Sequence, residues 1–254
     1  MSTLAPQHDD LVSGPGTLGS GSVAVVTGAA SGIGAGIARD LLATGVRVFN
    51  LDLSAGEAGE HIHCDVSSAE SVGQAAAAVR KLTGGRIDYV VANAGVRGPD
   101  RAAEDLDPAD FDQVLGVNLR GVFLTFQAFA PDMLAAGRGA MVAIASMSGN
   151  RVVNVPQRTV AYNVAKAGVT ALVRDLAVEW GPRGIRVNAV SPGYVSTPLL
   201  EADRAMHDIW LPHTVPGRFA SVAEIAAATR FLLSDAAGYC HGTDLLVDGG
   251  YSLR

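Results

Sequence analysis

Charged side chains are scarce in this 254-residue chain, and acidic ones outnumber basic ones. Asp, Glu, Lys and Arg make up 17% of the residues, and the formal net charge is −6. Binding of a phosphate backbone requires a basic face, and the sequence contains no run of Lys or Arg, so we expect no nucleic-acid partner. So little surface charge also favours self-association, which covers part of the surface.

Long hydrophobic runs are missing as well. No stretch reaches the ~18 uninterrupted apolar residues of a membrane span, and the most apolar stretch near the end, 226–233, is interrupted by Arg230. Asp9 and Asp10 stand where a signal peptide would carry positive charge. We therefore expect no membrane association and a cytoplasmic location.

Cysteine and clustered histidine are also lacking. Cys64 and Cys240 are far apart and form no Cys-x-x-Cys pair, which favours two buried free thiols over a disulfide in a chain with a large core. His61 and His63 alternate along a predicted strand, but no third ligand stands nearby. We predict no metal site.

Short apolar segments alternate with helical patterns through most of the chain. The predicted strands are Val23–Thr27, Val46–Asp52, His61–Cys64, Tyr89–Ala92, Ala140–Ala145, Arg186–Val190 and Leu245–Val247. The predicted helices are Gly34–Thr44, Ala69–Leu82, Pro108–Ala136, Ala161–Trp180 and Ser221–Leu233. Most strands are apolar on both faces, which is typical of strands between two helical layers. The pattern predicts an α/β fold: a single doubly wound domain with about seven parallel strands flanked by helices on both faces.

Two features depart from this regular alternation. Residues 1–21 have no periodicity and contain Pro6 and Pro15, so we expect a flexible N-terminal extension before a domain at 22–254. Only eight residues separate Asp52 from His61, whereas a parallel crossover normally takes about a dozen and a helix. We predict a turn or irregular loop there.

A glycine-rich turn, Thr27-Gly28-Ala29-Ala30-Ser31-Gly32-Ile33-Gly34, follows the first strand and opens the first helix. Glycines at such a turn let the backbone approach a pyrophosphate, and the helix N-terminus offers free N–H groups. The alternative is a tight strand–helix turn without a ligand. The strand before it and the amphipathic helix after it favour a dinucleotide site.

Asp52 ends the second strand, 18 residues after Gly34. A carboxylate there accepts hydrogen bonds from both adenosine-ribose hydroxyls and repels a 2′-phosphate. The following Leu53 supplies no cation, and the glycine-rich turn contains no Lys or Arg. The sequence therefore predicts NAD rather than NADP, the alternative being that Asp52 only caps a helix.

The spacing Gly-x-x-x-Gly-x-Gly resembles that of the short-chain dehydrogenase/reductase family, and the likeness extends from Val23 to Gly250. It implies a Rossmann-type fold and a dinucleotide held at Gly28, Ser31, Gly32, Ile33 and Gly34. Asp65-Val66 resembles the family's adenine-contacting pair, and Asn93-Ala94-Gly95 resembles the turn that lies against the cofactor. Pro192-Gly193, with Val195 and Thr197, is similar to the segment that holds the nicotinamide carboxamide.

Tyr162 and Lys166 are four residues apart in a predicted helix and therefore share a face. A free tyrosine, with a pKa of about 10, is a poor base at neutral pH. A neighbouring ammonium and an oxidised nicotinamide would both stabilise the phenolate. The alternative for the pair is a surface position. We predict that Tyr162 is the general acid/base and that Lys166 supports it and contacts the cofactor.

Two further catalytic residues are predicted. A serine hydroxyl after the fifth strand can hold the reacting oxygen against Tyr162, and Ser146 and Ser148 are both candidates. The resemblance implies Ser146, although its spacing to Tyr162 is longer than is usual in the family. The resemblance also implies that Asn118 interrupts a helix and holds a water that relays protons from Lys166; the alternative is a solvent-facing polar residue.

The substrate residues are predicted from a resemblance to the branch of the family that acts on polyols and sugars, carried by 146–163 and 247–251. Ser148, Asn154 and Gln157 would face a substrate with several hydroxyls, unless the amides only satisfy their own loop. Trp210 lies in the segment 199–216, which in the family is a lid over the substrate. Its alternative is a core or interface anchor.

These features together predict a secondary-alcohol dehydrogenase for a small polyol or sugar-like substrate. The alternatives are the same chemistry on a 3-oxoacyl thioester, hydroxysteroid or cyclic ketone, and a cofactor-binding regulator without turnover. The resemblance further implies a homotetramer built through the long helices and the last helix and strand.

Overall fold

The computed structural model describes residues 18–201 and 204–254, within which seven strands form one sheet. The strands are β1 (Val23–Thr27), β2 (Arg47–Asp52), β3 (Glu60–His63), β4 (Tyr89–Ala92), β5 (Gly139–Ile144), β6 (Ile185–Pro192) and β7 (Asp244–Val247). All neighbours are parallel, in the order β3-β2-β1-β4-β5-β6-β7. The predicted doubly wound parallel sheet is confirmed. Its order reverses between β1 and β4, which places a ligand crevice at their carboxyl ends.

Helices cover both faces of the sheet. In the described part of the chain they are α1 (Gly32–Ala43), α2 (Ala69–Thr83), α3 (Pro108–Leu115), α4 (Gly121–Ala136), α5 (Met147–Asn150), α6 (Val160–Trp180), α7 (Pro198–Glu201), α8 (His207–Trp210) and α9 (Val222–Leu233). Helices α1 and α9 pack on one face, where Ile37, Leu41 and Ile225 are buried. Helices α2, α4 and α6 pack on the other, around Phe126 and Phe129.

Local sequence sets the helix ends. Asp107 caps α3 by accepting from Ala109 N, and proline at 108 starts the helix with a suitable φ. Ser221 and Glu224 form a reciprocal capping box at α9. Gly84 ends α2 in the left-handed conformation with φ +66°.

The predicted single helix Pro108–Ala136 is wrong in one respect. A π-helical turn, Gly116–Arg120, separates α3 from α4. It contains Asn118, whose side chain is fully buried and bonds to the backbone of Val96. Periodicity alone did not reveal the interruption because the flanking residues keep a helical pattern, but the resemblance did imply it. Such π turns recur at functional sites.

Two other expectations concern irregular segments. Residues 53–59, between β2 and β3, form no helix, which confirms the predicted irregular connection. Of the predicted extension 1–21, residues 1–17 lie outside the described part of the chain. Leu18 is buried and Gly21 N donates to Gly45 O, so the packed region begins before the predicted boundary.

Arg186 ties β6 to the end of α9. Its guanidinium donates to four main-chain oxygens, those of Leu232 at 2.6 Å, Leu233 at 2.9 Å, Ser234 at 2.9 Å and Ala237 at 3.1 Å. These include the last carbonyls of the helix, which have no intrahelical partner. The positive charge also lies at the negative end of the helix dipole. No helix in 18–201 or 204–254 is long and apolar enough to cross a membrane.

Candidate active site

A cavity of about 550 Å³ opens at the carboxyl ends of the strands. Most of the predicted site residues line it: Gly28, Ser31, Gly32, Ile33, Asp52, Asp65, Val66, Asn93, Ala94, Gly95, Ser146, Ser148, Asn154, Gln157, Tyr162, Lys166, Pro192, Gly193, Val195, Thr197 and Trp210. Gly34 and Asn118 are not among the lining residues. Each lies behind a lining residue: Gly34 packs against Gly28, and Asn118 forms hydrogen bonds with Val96.

The glycine-rich turn is held by β4. Gly28 has φ +66° and Gly32 φ +55°, a region that favours glycine. Asn93 Nδ2 donates to Thr27 O and Gly28 O, both at 3.0 Å. Gly34 packs behind the turn, because a Cβ there would lie 2.2 Å from Gly28 O. Glycine at 34 is therefore required by packing, and its contact with the cofactor stays a prediction.

Asp52 connects the end of β2 to this turn. Its Oδ2 accepts from Ala30 N at 2.9 Å, and its Oδ1 accepts from Ser54 N at 3.2 Å. The alternative of a helix cap is excluded, since no helix follows. Each oxygen retains a lone pair for a ribose hydroxyl. The positive-φ turn and the carboxylate at the end of β2 therefore fit an adenosine dinucleotide.

Two further parts of the cavity wall follow β3 and β6, which lie on opposite sides of β1 and β4 in the sheet. Asp65 Oδ1 accepts from Ser67 N and Ser67 Oγ at 2.9 and 2.7 Å, which fixes the turn before α2. Gly193 N donates to Val247 O at 3.0 Å, and a Cβ on Gly193 would lie 2.8 Å from Asp248 Cα. Glycine is therefore required where the chain leaves β6 to form this wall.

Tyr162 and Ser146 meet in the cavity. Ser146 follows β5 and caps α5, accepting from Ser148 N at 3.2 Å. Tyr162 lies in the first turn of α6. Burial raises the pKa of Tyr162, and a hydrogen bond with Ser146 counteracts that rise. This interaction favours Ser146 as the catalytic serine, and Ser148 lines the same cavity.

Lys166 lies one helical turn beyond Tyr162 and is buried, which rules out the alternative of a surface pair. Its Nζ donates to Ile144 O at 2.6 Å and lies 5.7 Å from the centroid of the Tyr162 ring. Burial lowers the pKa of Lys166 to about 8. When charged, the ammonium at this distance favours the phenolate.

Asn118 supports this centre from behind. Val96 N donates to its Oδ1 at 2.8 Å, and its Nδ2 donates to Val96 O at 2.6 Å. A Cβ on Gly95 would lie 2.8 Å from Asn118 Oδ1 and 3.7 Å from Lys166 Nζ. The alternative of a solvent-facing Asn118 is therefore wrong. Both side-chain amide atoms are engaged with Val96.

The substrate end of the cavity contains Asn154, Gln157 and Trp210 together with a residue that the sequence analysis missed. Tyr194 lines the cavity, and its ring stacks on Trp210 with centroids 4.2 Å apart. Asn154 Nδ2 donates to Tyr194 Oη at 3.2 Å. The Trp210 side chain is fully buried.

Other lining residues were also missed. Val96 and Arg97 follow directly on the Asn93-Ala94-Gly95 turn, and Met147 lies between the two candidate serines. Their positions next to motifs were the available signal. Tyr194 likewise stands between Gly193 and Val195, but its aromatic partners are distant in sequence.

The chain matches a family model described as Enoyl-(Acyl carrier protein) reductase over residues 28–252. A D-threitol dehydrogenase of Mycolicibacterium smegmatis is 43% identical, over 92% of this chain and 94% of that protein. An L-tagatose-forming galactitol 2-dehydrogenase of Cereibacter sphaeroides is 41% identical, over 92% of this chain and 96% of that protein.

Solved structures give the same result. A short-chain type dehydrogenase/reductase from Mycobacterium marinum has a TM-score of 0.87 and 35% identity, over 92% of this chain and 97% of the other. An NADPH-dependent 3-quinuclidinone reductase from Rhodotorula rubra has a TM-score of 0.90 and 34% identity, over 99% and 98%.

These matches span nearly the whole chain. The protein is an oxidoreductase of the alcohol dehydrogenase type, with a nicotinamide dinucleotide as cofactor and a small-molecule substrate. It belongs to the short-chain dehydrogenase/reductase family.

Proposed function

We propose that the protein oxidises a secondary alcohol of a polyol or sugar-like substrate and transfers the hydride to NAD. The carrying observation is that Ser146, Tyr162 and Lys166 line the same cavity as the positive-φ glycine turn, with Lys166 Nζ 5.7 Å from the centroid of the Tyr162 ring. Two relatives act on threitol and galactitol by name, which supports the choice of substrate class.

The chain's own residues account for the proton. Ser146 Oγ binds the substrate oxygen and orients it toward Tyr162. The Tyr162 phenolate takes the hydroxyl proton, since a positioned base within hydrogen-bond reach is what general base catalysis requires. Lys166 stabilises that phenolate by its charge and is itself held by Ile144 O. When bound, the nicotinamide supplies the hydride acceptor.

Asn118 takes part through the backbone. Because its amide is engaged with Val96, the predicted proton relay would use a main-chain group of the π turn and a water, rather than the side-chain amide. The side chain fixes the 93–97 turn against Lys166. In the reverse direction the same groups would return a proton to a carbonyl.

Asp52 supports NAD as the preferred cofactor. A 2′-phosphate would meet the Asp52 carboxylate, and the next residue, Leu53, is uncharged and largely exposed. Glycine, serine, alanine and isoleucine form the turn from 28 to 34. The proposal includes NAD rather than NADP on this electrostatic ground.

A homotetramer is also proposed. Helices α4 and α6 carry exposed apolar side chains, including Phe123, Val164 and Val178, the last with 79% of its side chain exposed. Apolar side chains on neighbouring helices favour burial against a second copy. A cytoplasmic location stays a prediction from the sequence.

The test is reduction of NAD, followed by absorbance, with D-threitol, galactitol, cyclohexanol and a hydroxysteroid as substrates. Wild-type protein should turn over a polyol fastest. Tyr162→Phe should lower kcat by about 1,000-fold, since acid–base catalysis contributes roughly 10²- to 10⁴-fold, while NADH binding persists. Polyol turnover that survives in Tyr162→Phe would refute the mechanism. NADH binding without turnover of any alcohol would favour the regulator.

A further inference from the structure

Four aromatic rings pack together at the substrate end of the cavity, and two of them, Tyr194 and Trp210, line it. Tyr194 stacks on Trp210 at a centroid distance of 4.2 Å and an interplanar angle of 10°. Tyr251 meets Tyr194 edge-on at 5.2 Å, and Phe219 lies tilted at 6.1 Å. Rings held on several sides have little freedom to rotate. Tyr194 and Trp210 therefore present fixed edges to the cavity.

The hydroxyl of Tyr194 reaches the loop between α5 and α6. It accepts from Asn154 Nδ2 at 3.2 Å and donates to Gln157 Oε1 at 3.4 Å. Burial raises the pKa of Tyr194, so the hydroxyl stays protonated and remains a donor. Tyr194 thus orients the amides of Asn154 and Gln157 through its hydroxyl group. Its ring orients Trp210 by stacking.

Two polar atoms of this group lack a hydrogen-bond partner within residues 18–201 and 204–254. Asn154 Oδ1 and Trp210 Nε1 are buried, and no hydrogen bond to either is found among the described residues. Both residues line the same cavity as Tyr162 and Ser146. Buried polar atoms without partners are unfavourable, and water or a ligand normally satisfies them.

The two atoms have complementary requirements. An amide oxygen accepts a hydrogen bond, and an indole N–H donates one. A hydroxyl group does both, so an alcohol with hydroxyls beyond the reacting carbon supplies what each atom needs. A monohydric alcohol of the same length has one hydroxyl, and Tyr162 and Ser146 engage it. It therefore leaves both atoms unsatisfied.

We propose that Trp210 Nε1 and Asn154 Oδ1 bind a substrate hydroxyl other than the reacting one, and that Tyr194 is the positioning residue that holds both in place. The inference rests on the proposed function and adds the basis of selectivity: the enzyme prefers polyhydric alcohols because this subsite needs a second hydroxyl.

The test compares D-threitol with 2-butanol, a four-carbon secondary alcohol with one hydroxyl. Tyr194→Phe and Trp210→Phe keep aromatic rings but remove the hydroxyl and the N–H. Each should lower kcat/KM for D-threitol roughly tenfold, the effect of about 1.4 kcal/mol, mainly through KM. For 2-butanol each should change it less than twofold. Trp180→Phe is the control, since Trp180 Nε1 donates to Glu179 outside the cavity.

A double mutant separates positioning from general damage. If Tyr194 acts through Asn154, then Tyr194→Phe should cause little further loss in an Asn154→Ala background. Independent, multiplicative losses would overturn the positioning role. Equal losses on D-threitol and 2-butanol, or no loss on either, would overturn the subsite.

Fluorescence gives a readout without turnover. The chain has two tryptophans, so Trp180→Phe leaves Trp210 as the reporter. With NADH bound, D-threitol should change its emission and 2-butanol should not. This also tests the subsite if Trp210→Phe fails to fold; an unchanged emission at saturating D-threitol would overturn it. If the wild type oxidises no polyol at all, the proposed function itself is wrong. This outcome differs from the variant and fluorescence results that would overturn only the subsite.

Discussion

Asn118 and Val96 form two reciprocal hydrogen bonds, although 22 residues separate them in the chain. The pair fixes the turn after β4 against the π turn, with Gly95 between Asn118 and Lys166. Gly95→Ala would place a Cβ 2.8 Å from Asn118 Oδ1 and displace it. We expect kcat to fall about 100-fold, the typical effect of a misplacement of about 1 Å.

Gly116→Ala is the matched control, because a Cβ there meets nothing within 4 Å and its backbone is already helical. Its kcat should stay within twofold of wild type. Steady-state kinetics at saturating cofactor measures both. Similar losses in the two variants would argue against the steric explanation.

Ser146→Ala should shift the pH dependence of alcohol oxidation. The hydrogen bond from Ser146 counteracts the burial that raises the pKa of Tyr162. Without it the pKa rises further, and since the phenolate is the active base, the acidic limb of kcat/KM should move to higher pH. The maximal rate should also fall, by about 100-fold, since an aligned donor is lost.

Ser148→Ala provides the comparison for that profile. The contact from Ser148 to Ser146 uses the Ser148 backbone N–H, which the substitution keeps. Its acidic limb should therefore coincide with that of wild type. A shift of the acidic limb in Ser148→Ala and none in Ser146→Ala would show that our proposal names the wrong serine.

Asp52→Asn should weaken the preference for NAD over NADP about tenfold, since a repulsion of about 1.4 kcal/mol corresponds to that ratio. The ratio of kcat/KM for the two cofactors measures it. Glu57→Gln removes the same charge from the exposed loop after β2, outside the 550 Å³ cavity, and should leave the ratio unchanged. An equal change in both would indicate a long-range charge effect instead.

Arg186→Met should lower the free energy of unfolding by about 3 kcal/mol, because it leaves buried carbonyls without a charged donor. Urea denaturation measures this. Arg218→Gln removes an exposed ion pair with Glu224 and should change stability by about 1 kcal/mol or less. Equal effects would mean that Arg186 does not brace α9.

Val178→Glu should break the proposed tetramer, since it replaces an apolar side chain that is 79% exposed on α6 with a charged one. Light scattering on a size-exclusion column should then show a mass below four times the 26.0 kDa chain. Leu82→Glu changes a residue that is 50% exposed on α2 and should leave the mass unaltered. A wild-type monomer would refute the tetramer.

The sheet and the cofactor end were predictable because their signals are local. β1 and β4 agree with their predicted bounds residue for residue, since each is a short apolar run between turn residues. Asp52 could be placed at the end of a strand for the same reason. Tyr162 and Lys166 were predicted from their spacing, and Ser146 and Asn118 from the family resemblance, and neither signal needs knowledge of tertiary contacts.

The substrate end could not be predicted in the same way. Tyr194, Trp210, Phe219 and Tyr251 gather only because β6, α8 and the chain end converge, and nothing in their spacing indicates this. The Asn118–Val96 pairing likewise depends on the packing of two distant turns. Periodicity reports which face of an element is buried and not what lies across from it.

The absence of a helix between β2 and β3 affects the local stability of the edge strand β3. β3 has one strand neighbour, is largely exposed, and is further tied through His61 to Asp52 O and through His63 to Leu53 O, both at 3.1 Å. With so few contacts its local unfolding takes less free energy than that of the central strands. The end of the cavity lined by Asp52 therefore lies at an edge of the sheet with low local stability. If the cofactor contacts Asp52 as proposed, its binding would slow the hydrogen exchange of β3 amides in particular.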